Sequence, residues 1–281
     1  MKKALIVTAA FIIPAALVLI YGFISATRLP ENRPENFIKN RPAGEFKTVV
    51  CVGDSITHGS VSFNYVHELE SRMAKDGYYF VNAGINSELA WNVLQRIDDI
   101  IACDPDYITI LIGTNDANGT ITDENAKRQV KEMGLPRRPS PQWYRENLVK
   151  ICSLLKAETD ARIALLTIPP IGEDPDDMAF RRASEFSKII RDVARQQGVT
   201  LLPLNEKMTA FISENGANPS VSYESLRSLM YRGIFMRKIF RNSYDDISSS
   251  SGFLLVTDFL HLNSRAGKMV ADQIEDFIHS Q

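Results

Sequence analysis

The sequence contains few cysteines, and they are scattered. Only Cys51, Cys103 and Cys152 occur in 281 residues, with no CxxC pair and no histidine close by. An odd, widely spaced set excludes a disulfide framework and a zinc-finger spacing. The three thiols are therefore predicted to be small residues of a hydrophobic core.

A strong charge of either sign is also missing. The chain has 32 basic and 34 acidic residues, which give a formal net charge of −2. Binding to nucleic acid relies on positive charge that neutralises phosphates, so we expect no nucleic-acid partner. The content of 44% hydrophobic and 23% charged residues is typical of a globular protein and excludes a disordered or collagen-like chain.

Charge is absent altogether from the stretch Ala4–Ala26. As a helix these 23 residues would be about 35 Å long, enough to cross the apolar core of a bilayer. Lys2 and Lys3 should stay on the cytoplasmic side, which predicts a single-pass anchor in the cell membrane with the rest of the chain outside the cytoplasm. The alternative for residues 1–26 is a signal peptide whose cleavage would release a secreted protein.

The segment after this run has a different composition. Residues 27–45 contain three prolines and alternating charges, with little apolar surface to bury. Such a composition predicts an extended tether. One domain is then predicted over residues 46–281.

Apolar strands alternate with helical patterns through this domain. The predicted strands are Phe46–Val52, Tyr78–Val81, Tyr107–Ile112, Arg162–Ile168 and Val199–Leu204. The predicted helices cover residues 63–75, 88–102, 140–157, 184–197 and 264–278. This alternation predicts an α/β fold, a three-layer α/β/α sandwich with a five-stranded parallel sheet covered by helices on both faces. Ligands of such sheets bind beyond the carboxyl ends of the strands.

Four short polar motifs lie in the region where this rule predicts a ligand site. They are GDSITHG from Gly53, Asn82-Ala83-Gly84, Gly113-Thr114-Asn115-Asp116, and the DxxH motif Asp258-Phe259-Leu260-His261. A helix cap or a turn explains each motif taken singly. Neither a cap nor a turn explains why four such motifs occur in this order, with three of them at successive strand ends.

With these motifs the sequence resembles the SGNH, or GDSL, hydrolase superfamily of serine esterases and lipases. The serine of the first motif is Ser55, and Gly84, Asn115, Asp258 and His261 match the other family positions. The resemblance covers about residues 46–281. It implies a flavodoxin-like three-layer fold and ester hydrolysis that needs neither a metal ion nor another cofactor.

The choice of catalytic base also follows from the residues themselves. A serine hydroxyl becomes an effective nucleophile when a base removes its proton. Of the four histidines, His67 lies in a predicted helix facing solvent and His279 lies near the chain end, whereas His261 has a carboxylate, Asp258, three residues earlier that can orient its ring. His58 is close to Ser55 in sequence but has no such partner. We therefore predict a Ser55–His261–Asp258 triad.

The tetrahedral intermediate of ester hydrolysis needs hydrogen-bond donors where its negative charge develops. The backbone N–H groups of Ser55 and Gly84 and the side-chain amide of Asn115 are predicted to form this oxyanion hole. The GxSxG nucleophile elbow is absent, which argues against an α/β-hydrolase fold.

Two long insertions, Ala117–Pro139 and Asn205–Thr257, leave from the same end of the predicted sheet. Connections of this length are usually functional or structured. The second includes a stretch, residues 223–244, with five basic residues among aromatic ones. It can be a lid, an interfacial helix near anionic lipid, a clamp for an anionic substrate, or a packing helix with solvated arginines. The acidic run Glu173–Asp177 lacks calcium-loop spacing and is predicted to be a solvated turn.

The function predicted from the sequence is a serine esterase that hydrolyses small acyl esters, with O-acetyl groups on carbohydrate as the suggested substrate. The alternatives are a lipase, lysophospholipase or thioesterase with an acyl groove, and an acyltransferase that uses the same serine. The sequence leaves the oligomeric state undetermined.

Overall fold

Five parallel strands form the centre of the computed structural model, which describes residues 20–280. The strands are β1 (Lys47–Gly53), β2 (Tyr78–Gly84), β3 (Tyr107–Leu111), β4 (Arg162–Leu166) and β5 (Thr200–Leu202). Their order in the sheet is β2-β1-β3-β4-β5. All five lie where the sequence predicts them, and the predicted α/β class is confirmed.

The helices include short turns as well as long layers. They are α1 (residues 20–27), α2 (Pro34–Lys39), α3 (Ser55–His58), α4 (Tyr65–Arg72), α5 (Ala90–Gln95), α6 (Ile97–Ile101), α7 (Thr114–Asn118), α8 (Asp123–Glu132), α9 (Pro141–Glu158), α10 (Met178–Gln197), α11 (Leu204–Asn215), α12 (Leu226–Lys238), α13 (Tyr244–Ser249) and α14 (Ser264–His279). One group packs α4 and α11 against α14, and the other packs α5, α6 and α10 against α9. These groups are the outer layers of the predicted sandwich.

The strands are apolar because both faces of the sheet are covered. Every residue of β3 is buried, and so are the three cysteines, as the sequence predicts. The long helices start at side-chain caps. Ser140 accepts a hydrogen bond from the Trp143 N–H at the start of α9, and Asp177 caps α10, which therefore begins at Met178, earlier than predicted.

The segment predicted to be an extended tether is partly helical. Phe37 of α2 is buried, with its ring centroid 4.9 Å from that of Tyr79 and 6.3 Å from that of Phe46. The prediction of an extended chain is wrong for this part because the single aromatic residue gives α2 an apolar contact with the domain.

The predicted membrane segment lies mostly outside the described residues, and α1 contains its last part. Within residues 20–280, no helix combines the length and apolar character that a membrane span requires. α1 is attached to the domain through the Ala26 carbonyl, which accepts hydrogen bonds from Ser60 Oγ at 2.5 Å and Asn86 Nδ2 at 2.9 Å.

The register of the sheet aligns the strand ends that carry the polar motifs. Gly53 at the end of β1 pairs with Gly84 at the end of β2 and with Leu111 at the end of β3. The loops that follow these three strands therefore leave from one edge of the sheet.

Candidate active site

The chain turns sharply from β1 into α3 at Gly53-Asp54-Ser55. A Cβ atom on Gly53 would lie 2.0 Å from Thr57 Oγ1 and 2.5 Å from the Leu111 carbonyl oxygen, so only glycine fits there. Asp54 Oδ1 accepts the Ile56 N–H at 2.9 Å and caps α3. Ser55 is consequently the first residue of α3 and lies at the carboxyl edge of the sheet.

A chain of hydrogen bonds joins Ser55 to two residues that are more than 200 positions away in the sequence. Ser55 Oγ lies 3.0 Å from His261 Nε2, and His261 Nδ1 lies 2.7 Å from Asp258 Oδ2. All three residues are buried. The structure thus brings the three predicted triad residues together in the order serine, histidine and aspartate.

The surroundings of His261 favour its protonated form. Burial by itself lowers the pKa of His261, but the charge and hydrogen bond of Asp258, together with the charge of Asp54, raise it, and the net shift is upward. An imidazole in this setting accepts a proton from serine more readily than one without a carboxylate partner.

The turn from Asp258 to His261 fixes the orientation of the imidazole. Asp258 Oδ1 accepts the backbone N–H groups of Leu260 at 3.1 Å and His261 at 2.9 Å. Between them Phe259 has a φ of 84°, in the left-handed region, and its carbonyl accepts the Gly172 N–H at 2.9 Å. The three-residue spacing of the DxxH motif therefore lets one carboxylate hold both the turn and the ring.

Asn115 lies at the start of α7, directly beyond β3. Its side-chain Nδ2 donates to the Glu88 carbonyl at 3.1 Å and to Asp54 Oδ2 at 3.4 Å. Its own carbonyl accepts Gln129 Nε2 from α8 at 2.7 Å. The first insertion therefore holds the backbone of Asn115 in place through this hydrogen bond.

Two buried carboxyl groups lie next to Asn115 in space or in sequence. Burial raises the pKa of Asp54 to about 7, although the Ile56 N–H and His261 lower it. Burial, opposed by the Ala90 N–H and reinforced by the charge of Asp54, likewise raises the pKa of Asp116 to about 7. With this raised pKa, Asp54 is only partly ionised at neutral pH and repels negative charge near Asn115 less than a fully ionised carboxylate would.

A cavity of about 370 Å³ opens over Ser55, Asn115 and His261. Its polar lining residues include Asn118 and residues of α8 from the first insertion. The lining residues contributed by α1 and by α12 of the second insertion are mainly apolar. The shape of the substrate site is therefore set by segments outside the central fold.

A model of the GDSL-like lipase/acylhydrolase family matches residues 51–224 of this sequence. The chain belongs to this family. It is accordingly an enzyme that hydrolyses ester bonds. Among curated protein sequences, none matches the chain.

Solved structures of esterases share the fold of this family member. The acetyl xylan esterase AlAXEase superposes with a TM-score of 0.61 at 18% identity, over 82% of this chain and 99% of its own. Axe2, an acetylxylan esterase from Geobacillus stearothermophilus, gives a TM-score of 0.57 at 18% identity, over 85% of this chain and 96% of its own. LAE5, an alpha/beta hydrolase enzyme from the metagenome of Lake Arreo, gives a TM-score of 0.55 at 18% identity, over 83% of this chain and 95% of its own.

The geometry corrects the prediction for Gly84 in this acylhydrolase. The Gly84 N–H is already donated to Asn82 Oδ1 at 3.0 Å, and Gly84 is not among the residues that line the cavity. A Cβ on Gly84 would lie 2.2 Å from the His58 backbone nitrogen. Glycine is needed here because β2 and α3 pack closely.

Ser87, three residues further on, lies at the cavity and was not predicted from the sequence. It lines the cavity with Ser55 and Asn115, and its φ of 66° lies in the left-handed region. Within residues 20–280 its N–H donates no hydrogen bond. A serine gives no sequence signal for positive φ, so the pattern of residues favoured the nearby glycine.

Glu173 corrects a second prediction. The sequence predicts a solvated turn here, but the Glu173 side chain is buried and accepts the backbone N–H groups of Leu254 and Leu255 at 2.7 Å and of Val256 at 2.9 Å. Burial raises the pKa of Glu173, although these three donors lower it. Glu173 thereby fixes the segment that leads directly into the DxxH turn.

The remaining histidines lie away from the cavity lining. His58 is buried, and its ring nitrogens have no hydrogen-bond partner among the described residues. His67 has 74% of its side chain exposed, and His279 ends α14. In the part of the chain that the structure describes, no three histidine, cysteine or acidic side chains are grouped to hold a metal ion.

Proposed function

We propose that this acylhydrolase is a serine esterase in which Ser55 is the nucleophile, His261 the base and Asp258 the group that orients the base. The observation that carries the proposal is the continuous hydrogen-bond chain from Ser55 Oγ through His261 to Asp258. The buried position of all three residues strengthens their electrostatic interactions.

In the proposed reaction, His261 Nε2 takes the proton of Ser55 Oγ while Oγ attacks the ester carbonyl carbon. The carbonyl π electrons move to oxygen and form the tetrahedral intermediate. His261 then gives its proton to the departing alcohol as the C–O bond breaks, which leaves an acyl-serine. Water attacks this ester in the same way, His261 again relays the proton, and the acid is released with Ser55 restored.

The proposed oxyanion donors are the Ser55 N–H, the Asn115 amide and the Ser87 N–H in place of that of Gly84. Ser55 begins α3, where a backbone N–H has no partner within the helix. Ser87 and Asn115 line the same cavity, and the left-handed backbone of Ser87 supports this role. Asn115 Nδ2 has to exchange one of its two present hydrogen bonds for the oxyanion.

Asn115→Ala is expected to lower turnover by roughly 10²–10³-fold, because one oxyanion donor is lost while the triad remains. The same amide also joins the Glu88 carbonyl to Asp54, so thermal melting must be measured with the kinetics. A fall in kcat with a melting shift of only a few degrees supports the oxyanion role. A folded variant with nearly full activity removes Asn115 from the mechanism.

The proposed substrate is a short acyl ester, with an O-acetyl group on carbohydrate as the first class to test. Two of the structurally similar enzymes are described as acetyl xylan esterases. Catalytic mutants of Axe2 replace a serine, an aspartate and a histidine, with the aspartate three residues before the histidine, as in Asp258 and His261. Asn118, Arg128 and Gln129 line the cavity and offer polar contacts to a sugar.

A second candidate, a lipase or thioesterase with an acyl groove, is favoured by the apolar residues of the cavity lining. Met230 and Ile234 of α12 and Phe23 of α1 provide apolar surface in the cavity that His261 also lines. Apolar surface of this kind stabilises a longer acyl chain by removing it from water.

A chain-length series of p-nitrophenyl esters, measured alongside acetylated xylan and acetylated peptidoglycan, tests the two candidates. We expect kcat/KM to be highest for acetyl and to fall as the acyl chain lengthens. A maximum at a long acyl chain, with no release of acetate from either polymer, would replace the first candidate with the second.

The same proposal places the catalytic domain outside the cytoplasm, anchored in the cell membrane through residues 4–26. It is supported by the sequence alone, namely the uncharged run and the two lysines before it. Cleavage after Ala26 would remove Phe23 from the cavity wall, so the two topologies differ in the substrate site itself.

A further inference from the structure

The mouth of the catalytic cavity is framed by α1 and α12. Phe23 from α1 and Tyr231 from α12 both line the cavity, and both are exposed. The two helices also approach one another, since a Cβ on Gly22 would lie 4.0 Å from Ile239 Cδ1, an ordinary van der Waals distance. Residues 20–27 and 226–241 are called the apolar rim below.

The apolar rim carries the most exposed large hydrophobic side chains of residues 20–280. Their exposed fractions are 53–63%, compared with 39–48% for the other large apolar residues on the surface. They are Ile20, Tyr21, Phe23, Ile24, Tyr231 and Phe240. A group of exposed apolar side chains on two neighbouring segments indicates a site of contact with a membrane or another molecule.

The charge of the rim indicates which partner it fits. Residues 226–241 contain five basic residues and no acidic one, and Arg232, Arg237 and Arg241 are exposed. Aromatic and aliphatic side chains beside basic ones are typical of a surface that lies in the headgroup region of anionic lipids. The chain also enters α1 directly from residues 4–19, none of which is charged.

We propose that the apolar rim docks the mouth of the catalytic cavity onto a bilayer that contains anionic lipid. The ester then enters from the lipid surface, with its polar part toward α8 and its apolar part toward α1 and α12. Docking extends the proposed function to the delivery of substrate. It rests on the proposed function because it assumes that this cavity is the catalytic one. A substrate carried by a membrane lipid, such as an acylated glycolipid, fits a cavity lined by both polar and apolar residues.

Docking can be measured independently of activity by placing a fluorophore on the rim. Cys51, Cys103 and Cys152 are fully buried. A dye should therefore react with the thiol introduced by Phe240→Cys and not with the three native thiols. The matched control is Leu154→Cys on α9, a helix that contributes no residue to the cavity lining. The full chain is labelled with an environment-sensitive dye and mixed with phosphatidylcholine vesicles, with or without phosphatidylglycerol.

We expect the emission at position 240 to shift to the blue and to be quenched by brominated lipid, more strongly with phosphatidylglycerol, while the label at position 154 is unchanged. Equal responses at the two positions would overturn the docking proposal. A response at position 240 that is the same without phosphatidylglycerol would overturn its anionic part.

A kinetic experiment uses Phe240→Asp and Ile24→Asp, neither of which lines the cavity. We expect both to hydrolyse soluble p-nitrophenyl acetate at the wild-type rate but a vesicle-borne acyl ester roughly tenfold or more slowly, because apolar burial in the lipid is lost. Leu154→Asp should match wild type on both substrates, and unchanged vesicle hydrolysis by the rim variants would contradict docking. Absence of any ester hydrolysis by wild type would instead overturn the proposed function, while the fluorescence result would still judge the docking.

Discussion

Ser55→Ala is expected to lower ester hydrolysis by roughly 10⁴- to 10⁶-fold and to abolish labelling by an organophosphonate. Both processes need the hydroxyl that lies 3.0 Å from His261 Nε2. Removal of a single oxygen from the first residue of α3 leaves Asp54 to cap that helix, so the fold should persist. Initial rates with p-nitrophenyl acetate and gel detection of the labelled protein measure the two effects.

The control for this variant is Ser71→Ala on the exposed face of α4, whose hydroxyl bonds only to the His67 carbonyl. It should hydrolyse and label like wild type. If Ser55→Ala kept substantial hydrolysis or remained labelled, the nucleophile would be another residue and the proposed mechanism would be wrong.

His261→Ala is expected to remove nearly all esterase activity, whereas His58→Ala should leave most of it. His261 is the histidine that contacts both Ser55 and a carboxylate, while His58 is buried without a hydrogen-bond partner among the described residues. Because His58 is packed in the domain, the melting temperature of each variant must accompany the kinetics. Loss of activity in the reverse order would show that the base is assigned to the wrong residue.

The pH profile gives a second readout of the same base. His261 acts as a base only when neutral, and its pKa lies above the usual value of 6.5. Activity of wild type should therefore fall as the pH decreases through that raised pKa. In Asp258→Asn the charge that raises the pKa of His261 is lost, so the remaining activity should persist to a lower pH. An acid limb at the same pH in both proteins would mean that another group controls it.

The apolar rim shows why the second insertion could not be interpreted from its sequence. Only Leu226 and Leu229 of α12 are buried, while Met230, Tyr231 and Ile234 line the cavity. A helix that covers a cavity has apolar residues on more than one face, as does a helix packed into a core. The two kinds of helix differ in whether a cavity or a packed core lies opposite their apolar residues. For α12 this is decided by the neighbouring α1 and by the position of Ser55.

The sequence by itself determined the features that depend on local order along the chain. Alternating apolar strands and helices specify the parallel sheet, the cap at Ser140 starts α9, and three of the polar motifs lie at strand ends. The DxxH spacing is local too, because one carboxylate accepts N–H groups only two and three residues ahead. These features could be predicted because each rests on neighbours within a few residues.

Tertiary structure alone decided which groups face the cavity. Gly84 is a glycine for packing against α3, whereas Ser87 takes the left-handed backbone beside Ser55. Glu173, charged and set in an acidic run, is buried because three N–H groups from a segment some 80 residues later satisfy its carboxylate. The physical reason is the same in each case: a donor, an acceptor or a free volume supplied from a distant part of the chain leaves no periodic or compositional trace at the residue that uses it.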